Sequence, residues 1–267
     1  MDSHFPRPRR RFGQNFLHDR TVVDRIVAEL SPDAHTPVLE IGPGRGILTA
    51  ALLDRVSHVV AVEVDRDLVA HLRATFDPQR LTVLERDVLE VDLAEIAREH
   101  HGENARWCVA GNLPYNISKP IAMRLVESVD VVERAVLMFQ REVACRLVAP
   151  TGGADYGPLS VLPRAVYDIR RAFDVAPGAF RPAPEVTSSV TSWVARAPRP
   201  PRAEVARLRR TLGALFANRR KTLRNNVRRA LGDDGVLERA GIDGGLRPQD
   251  LPAEALRAIA DEWPEEA

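Results

Sequence analysis

The chain holds 267 residues, 45% of them hydrophobic, with 38 Lys and Arg set against 37 Asp and Glu for a formal net charge of +1. This length and apolar content suit a globular protein with one large α/β domain, or an average domain joined to a smaller one. No apolar run reaches the roughly 18 residues of a membrane span, the charged N-terminus lacks the apolar stretch of a secretory signal, and the only cysteines, Cys108 and Cys145, stand far apart without metal-ligand spacing. A cytoplasmic protein with neither disulfide nor zinc is expected.

Asp19 is the expected N-cap of a helix in RTVVDRIVAEL, where Val22, Val23, Ile26, Val27 and Leu30 share one face. TPVLEI follows as a short apolar strand and runs through GPGRG into a helix bearing Ile47, Leu48, Ala51 and Leu52 on one side. The alternation then repeats. Strand HVVAVEVD precedes helix RDLVAHLRATF, LTVLERDV precedes LAEIAREHH, RWCVAGNLPY precedes KPIAMRLVES, and RAVLMFQ precedes REVACRLVA. Strands and helices taking turns at this spacing predict a parallel sheet covered on both faces. Beyond APTGGADYG, the segments AVYDIRRAFDV and SSVTSWVA read as two further strands joined by the Pro-rich APGAFRPAPEV. Composition shifts at RAPRPPRAE, a linker that divides the chain into domains at 1–195 and 196–267. The remainder reads as helices only, in VARLRRTLGALFANRRKTLRNNVRRAL, DGVLERAGI and PAEALRAIADEW.

The net charge conceals its distribution. From Arg196 to Arg229 there are eleven Arg and one Lys against Glu204 alone, and Arg7, Arg9, Arg10 and Arg11 form a second basic group. A phosphate backbone meets that local field rather than the sum, so nucleic acid is a candidate partner. The competing reading is a solvated helix face in a chain biased towards Arg, since Lys119 and Lys221 are its only lysines.

Candidate chemistry gathers where strands end. Gly42, Gly44 and Gly46 let the backbone approach a ligand closely and leave a helix N-terminus facing negative charge. Glu63 closes the next strand, where a carboxylate can accept from both hydroxyls of a ribose. Nicotinamide and S-adenosylmethionine enzymes both use such a pair, so it leaves the two cofactors equally open. Asp87, after the third strand, can accept from the amine of a cofactor adenine, or else cap a helix. At the fourth strand's end GNLPYNISKP groups Asn112, Leu113, Pro114 and Tyr115. A planar base needs a stacking platform and acceptors for its amino hydrogens. Tyr115 supplies the first and Asn112 the second, while Pro114 stiffens the turn and presents its own carbonyl or that of Leu113 as a further acceptor. A base held there has left its stack, and these two strand ends favour methyl transfer over hydride transfer.

At these residues the sequence resembles the bacterial ribosomal RNA adenine N6-dimethyltransferases that modify small-subunit RNA. The likeness runs through RFGQNFLHD, EIGPGRGILT, VEVDRDL, GNLPYNISKP, FQREVACRLVA, YGPLSV, PGAFRPAPEVTSSV, NRRKTLRNN and AGIDGGLRPQDL. It implies a seven-stranded, Rossmann-like class I S-adenosylmethionine-dependent methyltransferase domain followed by a small all-helical domain. It also implies dimethylation on N6 of two adjacent adenines near the 3′ end of 16S rRNA, within the small ribosomal subunit or its precursor. A monomer without membrane contact is expected. Carried over by position, the cofactor contacts are Asn15, Leu17, Gly42, Gly44, Glu63, Asp87, Val88 and Asn112. Phe180 stands as a second aromatic wall for the target adenine, or else as a core aromatic, and Arg219, Arg220, Lys221 and Arg224 stand as RNA-binding residues.

Methyl transfer to an exocyclic amine needs the nitrogen lone pair freed from the ring, which hydrogen bonds to Asn112 and a main-chain carbonyl favour. No general base is obligatory, so His100 and His101 are assigned no catalytic part and are expected in an exposed loop. Three alternatives stay open: a 23S rRNA adenine methyltransferase of the antibiotic-resistance type, a noncatalytic RNA-binding factor of ribosome assembly, and, least favoured, a nicotinamide-dependent oxidoreductase, which would show hydride chemistry and no methyl transfer.

Overall fold

The computed structural model describes residues 14–265. In chain order these form β1 (Phe16–Leu17), α1 (Arg20–Leu30), β2 (Val38–Ile41), α2 (Ile47–Leu53), β3 (Val59–Glu63), α3 (Arg66–Thr75), β4 (Leu81–Glu85), α4 (Leu93–His101), β5 (Trp107–Asn112), α5 (Ser118–Glu127), β6 (Val132–Gln140) and α6 (Arg141–Leu147). Then come α7 (Pro158–Val166), β7 (Tyr167–Val175), β8 (Phe180–Arg181), β9 (Ser188–Ala195), α8 (Arg202–Leu215), α9 (Leu223–Leu231), α10 (Gly235–Arg239) and α11 (Ala253–Asp261). The chain divides into two compact units, residues 14–144 with Ile169–Ala195, and Cys145–Asp168 with residues 196–265. The second crossing falls at the expected linker, whereas 145–168, which the sequence reading kept in the first domain, groups with the C-terminal helices.

Seven strands form one sheet in the order β4-β3-β2-β5-β6-β9-β7. Within it β4, β3, β2, β5 and β6, the strands that alternate with helices, run parallel as expected, while β9, one of the two further strands, is antiparallel to β6. Val59, Val60 and Ala61 in β3 are fully buried, as a strand covered on both faces requires. Helix α1 buries Val22, Val23, Ile26, Val27 and Leu30, and Asp19 caps it by accepting from the N–H groups of Thr21 and Val22. Each buried aliphatic side chain contributes about 1.5–3 kcal/mol.

Three departures from the sequence reading have local causes. The long basic helix breaks between α8 and α9, because the Asn218 side chain takes the Arg220 N–H at 3.1 Å and Asn226 donates to the Asn218 carbonyl at 3.1 Å. Asparagine thereby offers the backbone an alternative to the helix. Helix α7 begins with Pro158 and contains Pro163. Proline suits a first turn but reads as a breaker inside a helix, and the sequence reading began a strand at Ala165 instead. Finally, His100 and His101 close α4 rather than lying in a loop. His101 packs edge-on against Trp107, with centroids 4.9 Å apart, and His58 meets Thr82 at 3.0 Å.

Two stability predictions follow from this packing. A methyl group at Gly111 would sit 2.7 Å from the Ile41 carbonyl oxygen of the neighbouring strand, so Gly111→Ala is expected to cost about 1–3 kcal/mol by overpacking, read from the denaturant midpoint. Burial, aided by the charges of neighbouring histidines, lowers the pKa of both His58 and His101 below the ordinary 6.5. Their neutral forms therefore stabilise the fold fully above that value, and the contribution is lost as pH falls below it and through the lowered folded values. Between about pH 7.5 and about pH 5.5 the melting temperature is expected to fall, and to fall less in His101→Phe, which keeps a ring beside Trp107 without titrating.

Candidate active site

The strand order reverses direction at β2, whose neighbours β3 and β5 carry the chain away to opposite sides. A crevice opens outside the carboxyl ends of the strands at such a point. The registers Ile41 with Val62, Glu63 with Glu85 and Asn112 with Met138 bring those ends level. Four sequence signals converge there: the glycine turn after β2, Glu63 ending β3, Asp87 just after β4 and Asn112 ending β5. All of them line one cavity, together with Asn15, Leu17, Val88, Leu113, Pro114 and Tyr115.

The glycine turn is tied to the acid beside it. Glu63 is 6% exposed. Its Oε2 accepts from the Gly44 N–H at 3.2 Å, and its Oε1 from Val64 and Asp65 at 2.9 and 3.0 Å. Burial pushes its pKa up even against these three donors. An oxygen accepts about two hydrogen bonds, so Oε2 retains capacity towards the cavity. Gly44 has φ +58 and a Cβ there would come 3.1 Å from the Phe16 ring, so both conformation and space call for glycine. Asp87 caps no helix. Its Oδ1 accepts from the Leu89 N–H at 2.9 Å within a turn.

At the end of β5, the Asn112 side chain donates from Nδ2 to the Asn15 carbonyl at 3.0 Å. Only the NH2 end of an amide can donate to a carbonyl, so Oδ1 is the end left over, and it has no hydrogen-bond partner among the described residues. Pro114 directs its carbonyl to the Ile117 N–H at 3.2 Å and the Ser118 hydroxyl at 3.3 Å. Of the two carbonyls considered from sequence, that of Leu113 is the one not so engaged. The Tyr115 hydroxyl meets Ser188 at 2.7 Å, and burial raises the pKa of the phenol, which keeps it neutral.

Phe180 is placed differently. It is 2% exposed, packs in the core and is not among the cavity residues; its strand β8 pairs with β1, Leu17 opposite Phe180. Glu40 and Phe16 are among the cavity residues that escaped the sequence reading. Glu40, an acid inside the apolar strand β2, is 1% exposed and accepts from the Thr49 hydroxyl at 2.6 Å. Burial raises its pKa to about 8, so at neutral pH it adds little charge beside Glu63. Phe16 carries the Arg45 guanidinium 4.5 Å over its ring, and its only sequence signal is its place in RFGQNFLHD.

In the second unit, Arg219, Arg220 and Lys221 lie exposed in the turn between α8 and α9 and form no ion pair among the described residues. Arg224 differs, because it shares the Asp234 carboxylate with Arg228 at 3.0 and 2.9 Å. The hydrogen bond from Arg228, with that from Arg224, holds the Asp234 pKa below the usual carboxylate value. The N-terminal arginines fall outside the described residues. No described helix is long and apolar enough to cross a membrane.

A family model described as ribosomal RNA adenine dimethylase matches residues 6–262. The Ribosomal RNA small subunit methyltransferase A of Aromatoleum aromaticum is 43% identical over 259 residues, 96% of this chain and 94% of its own. Its namesake from Geobacter sulfurreducens is 44% identical over 264 residues, 95% and 94% of the two chains. Among solved structures, the 23S rRNA methyltransferase ErmE aligns with a TM-score of 0.67 at 26% identity, over 93% of this chain and 99% of its own. A dimethyladenosine transferase from Plasmodium falciparum shares the fold with a TM-score of 0.73 at 20% identity, over 91% and 95%. With nearly its whole length matched, and strand ends converging on one cavity, the chain belongs to the ribosomal RNA adenine dimethylase family.

Proposed function

We propose that the protein transfers methyl groups from S-adenosyl-L-methionine to N6 of two adjacent adenines near the 3′ end of 16S rRNA, dimethylating each, in the small ribosomal subunit or its precursor. It would do so as a cytoplasmic monomer and contribute to ribosome biogenesis. The observation that carries this reading is the Asn112 amide, held by Asn15 with its oxygen left over beside Tyr115. The higher identity to relatives named for the small subunit favours 16S over 23S rRNA.

The residues present fit the donor. Its ribose hydroxyls would meet Glu63 Oε2, its adenine amine Asp87, and its remainder the glycine turn, whose positive φ at Gly42 and Gly44 favours residues without a side chain. When bound, the donor supplies a methyl group on a positively charged sulfur. Everything else falls to the chain. Asn112 Oδ1 and the Leu113 carbonyl would accept the two amino hydrogens of a flipped adenine, favouring the tetrahedral nitrogen whose lone pair is free. Tyr115 would stack on the base, its ring held by Ser188. Alignment supplies much of the rate. In the second unit, Arg219, Arg220 and Lys221 would contact phosphates, with Arg224 contributing beside its carboxylate partner.

Labelled S-adenosylmethionine offered with unmodified small and large subunits, followed by mapping of the labelled base, tests the assignment; label in the large subunit alone would overturn it. Asn112→Ala is expected to slow single-turnover transfer by about 10²-fold, and Tyr115→Ala to lose roughly 1–3 kcal/mol of base stacking. Replacing Arg219, Arg220 and Lys221 by Ala is expected to flatten the salt dependence of RNA binding by roughly 0.7–0.9 per lost phosphate contact in a log–log plot.

A further inference from the structure

The segment Gln14–Leu17 lines the cavity as a strap, and each of its four residues is held by a different part of the first unit. Gln14 donates from Nε2 to Asp65 Oδ2 at 3.1 Å. The Asn15 carbonyl accepts from Asn112. Phe16 lies under Arg45 and against Gly44. Leu17 pairs with Phe180 across the two short strands, and the next residue, His18, donates its main-chain N–H to the Ala179 carbonyl at 3.0 Å.

Asp65 gives the strap a firm anchor. It is 2% exposed, its Oδ1 caps α3 by accepting from the Asp67 N–H at 3.1 Å, and its own N–H donates to Glu63. Gln14 therefore reaches, through one buried carboxylate, the turn that also positions the acid at the end of β3. On its other side the strap accepts the hydrogen bond that the Asn112 side chain donates, the only one it makes among the described residues.

We infer that Gln14 is a positioning residue: its hydrogen bond to Asp65 latches the strap so that the Asn15 carbonyl holds the Asn112 amide with its oxygen towards the target amine. This rests on the reading of Asn112 as acceptor. The latch makes no contact with the reacting atoms, and it acts by distance. A misplacement of about 1 Å in a positioned group can cost 10²-fold in rate, and a hydrogen bond from an amide to a buried carboxylate is charge-assisted and stronger than one between neutral groups.

The test reverses the polarity of the bond. Gln14→Glu places two carboxylates against each other. It is expected to slow single-turnover transfer by about 10-fold or more and to speed hydrogen exchange at the main-chain amide of His18, which donates to the Ala179 carbonyl, in the ligand-free protein. Adding Asp65→Asn should restore both. The amide introduced at position 65 can donate to the carboxylate introduced at position 14 while still accepting from Asp67, so the bond returns with donor and acceptor exchanged. Gln14→Ala should show the same two losses without charge repulsion, and melting temperatures of all variants separate unfolding from unlatching. Parent rate and exchange in both single variants, or a double variant no better than Gln14→Glu, would overturn the latch. Exchange requires no methyl transfer, and the parent protein assayed beside the variants reports separately on the catalytic reading.

Discussion

The site depends on the parallel pairing of β2 with both β3 and β5. Parallel strands deliver their carboxyl ends to one edge, and a reversal of strand order keeps the connecting segments from covering it. The glycine turn, Glu63, Asp87 and Asn112 are far apart in the chain and come together because each sits at or just after such an end. Their relative placement is therefore a property of the buried sheet rather than of the loops. Close packing between neighbouring strands enforces it, most visibly at Gly111, where no side chain can be fitted against Ile41.

The polar groups around the cavity have been arranged largely by backbone. Three N–H groups converge on Glu63, one carbonyl turns Asn112, and two donors occupy the carbonyl of Pro114. Such partners do not reorient when a ligand enters, so a pre-set geometry needs little reorganisation. Glu40 and Glu63 stand near each other in low-dielectric surroundings, and burial raises the pKa of both. Glu40 is displaced to about 8 chiefly by its burial, with the neighbouring Glu63 charge adding to the rise and the Thr49 hydrogen bond opposing it.

Much of this was legible in the amino-acid sequence, for reasons that also explain what was not. Continuous apolar runs such as VVAVE mark buried strands, and the residues that interrupt them at their ends, Glu63, Asp87 and Asn112, stand out against that background. The strap did not, because β1 and β8 are two residues each and no periodicity survives at that length; their pairing joins Leu17 to Phe180 across most of the first unit. Phe180 consequently lies in the core. Glu40 is hidden by the opposite effect, an acid inside a run that reads as apolar throughout. The break at Asn218 turns on two hydrogen bonds to a single residue, whereas the flanking Arg-rich stretches have the composition of one uninterrupted helix.

The acceptor roles proposed for Asn112 Oδ1 and the Leu113 carbonyl at the end of β5 would also bear on how the reaction stops. An unmodified adenine amine brings two hydrogens, one for each acceptor, and every methyl group added removes one of them. A base methylated twice would have nothing left to offer either oxygen, and both would then lie without a partner against it, which would disfavour the complex. On that proposal, release of the finished nucleotide would follow from the same pair of atoms that captured it.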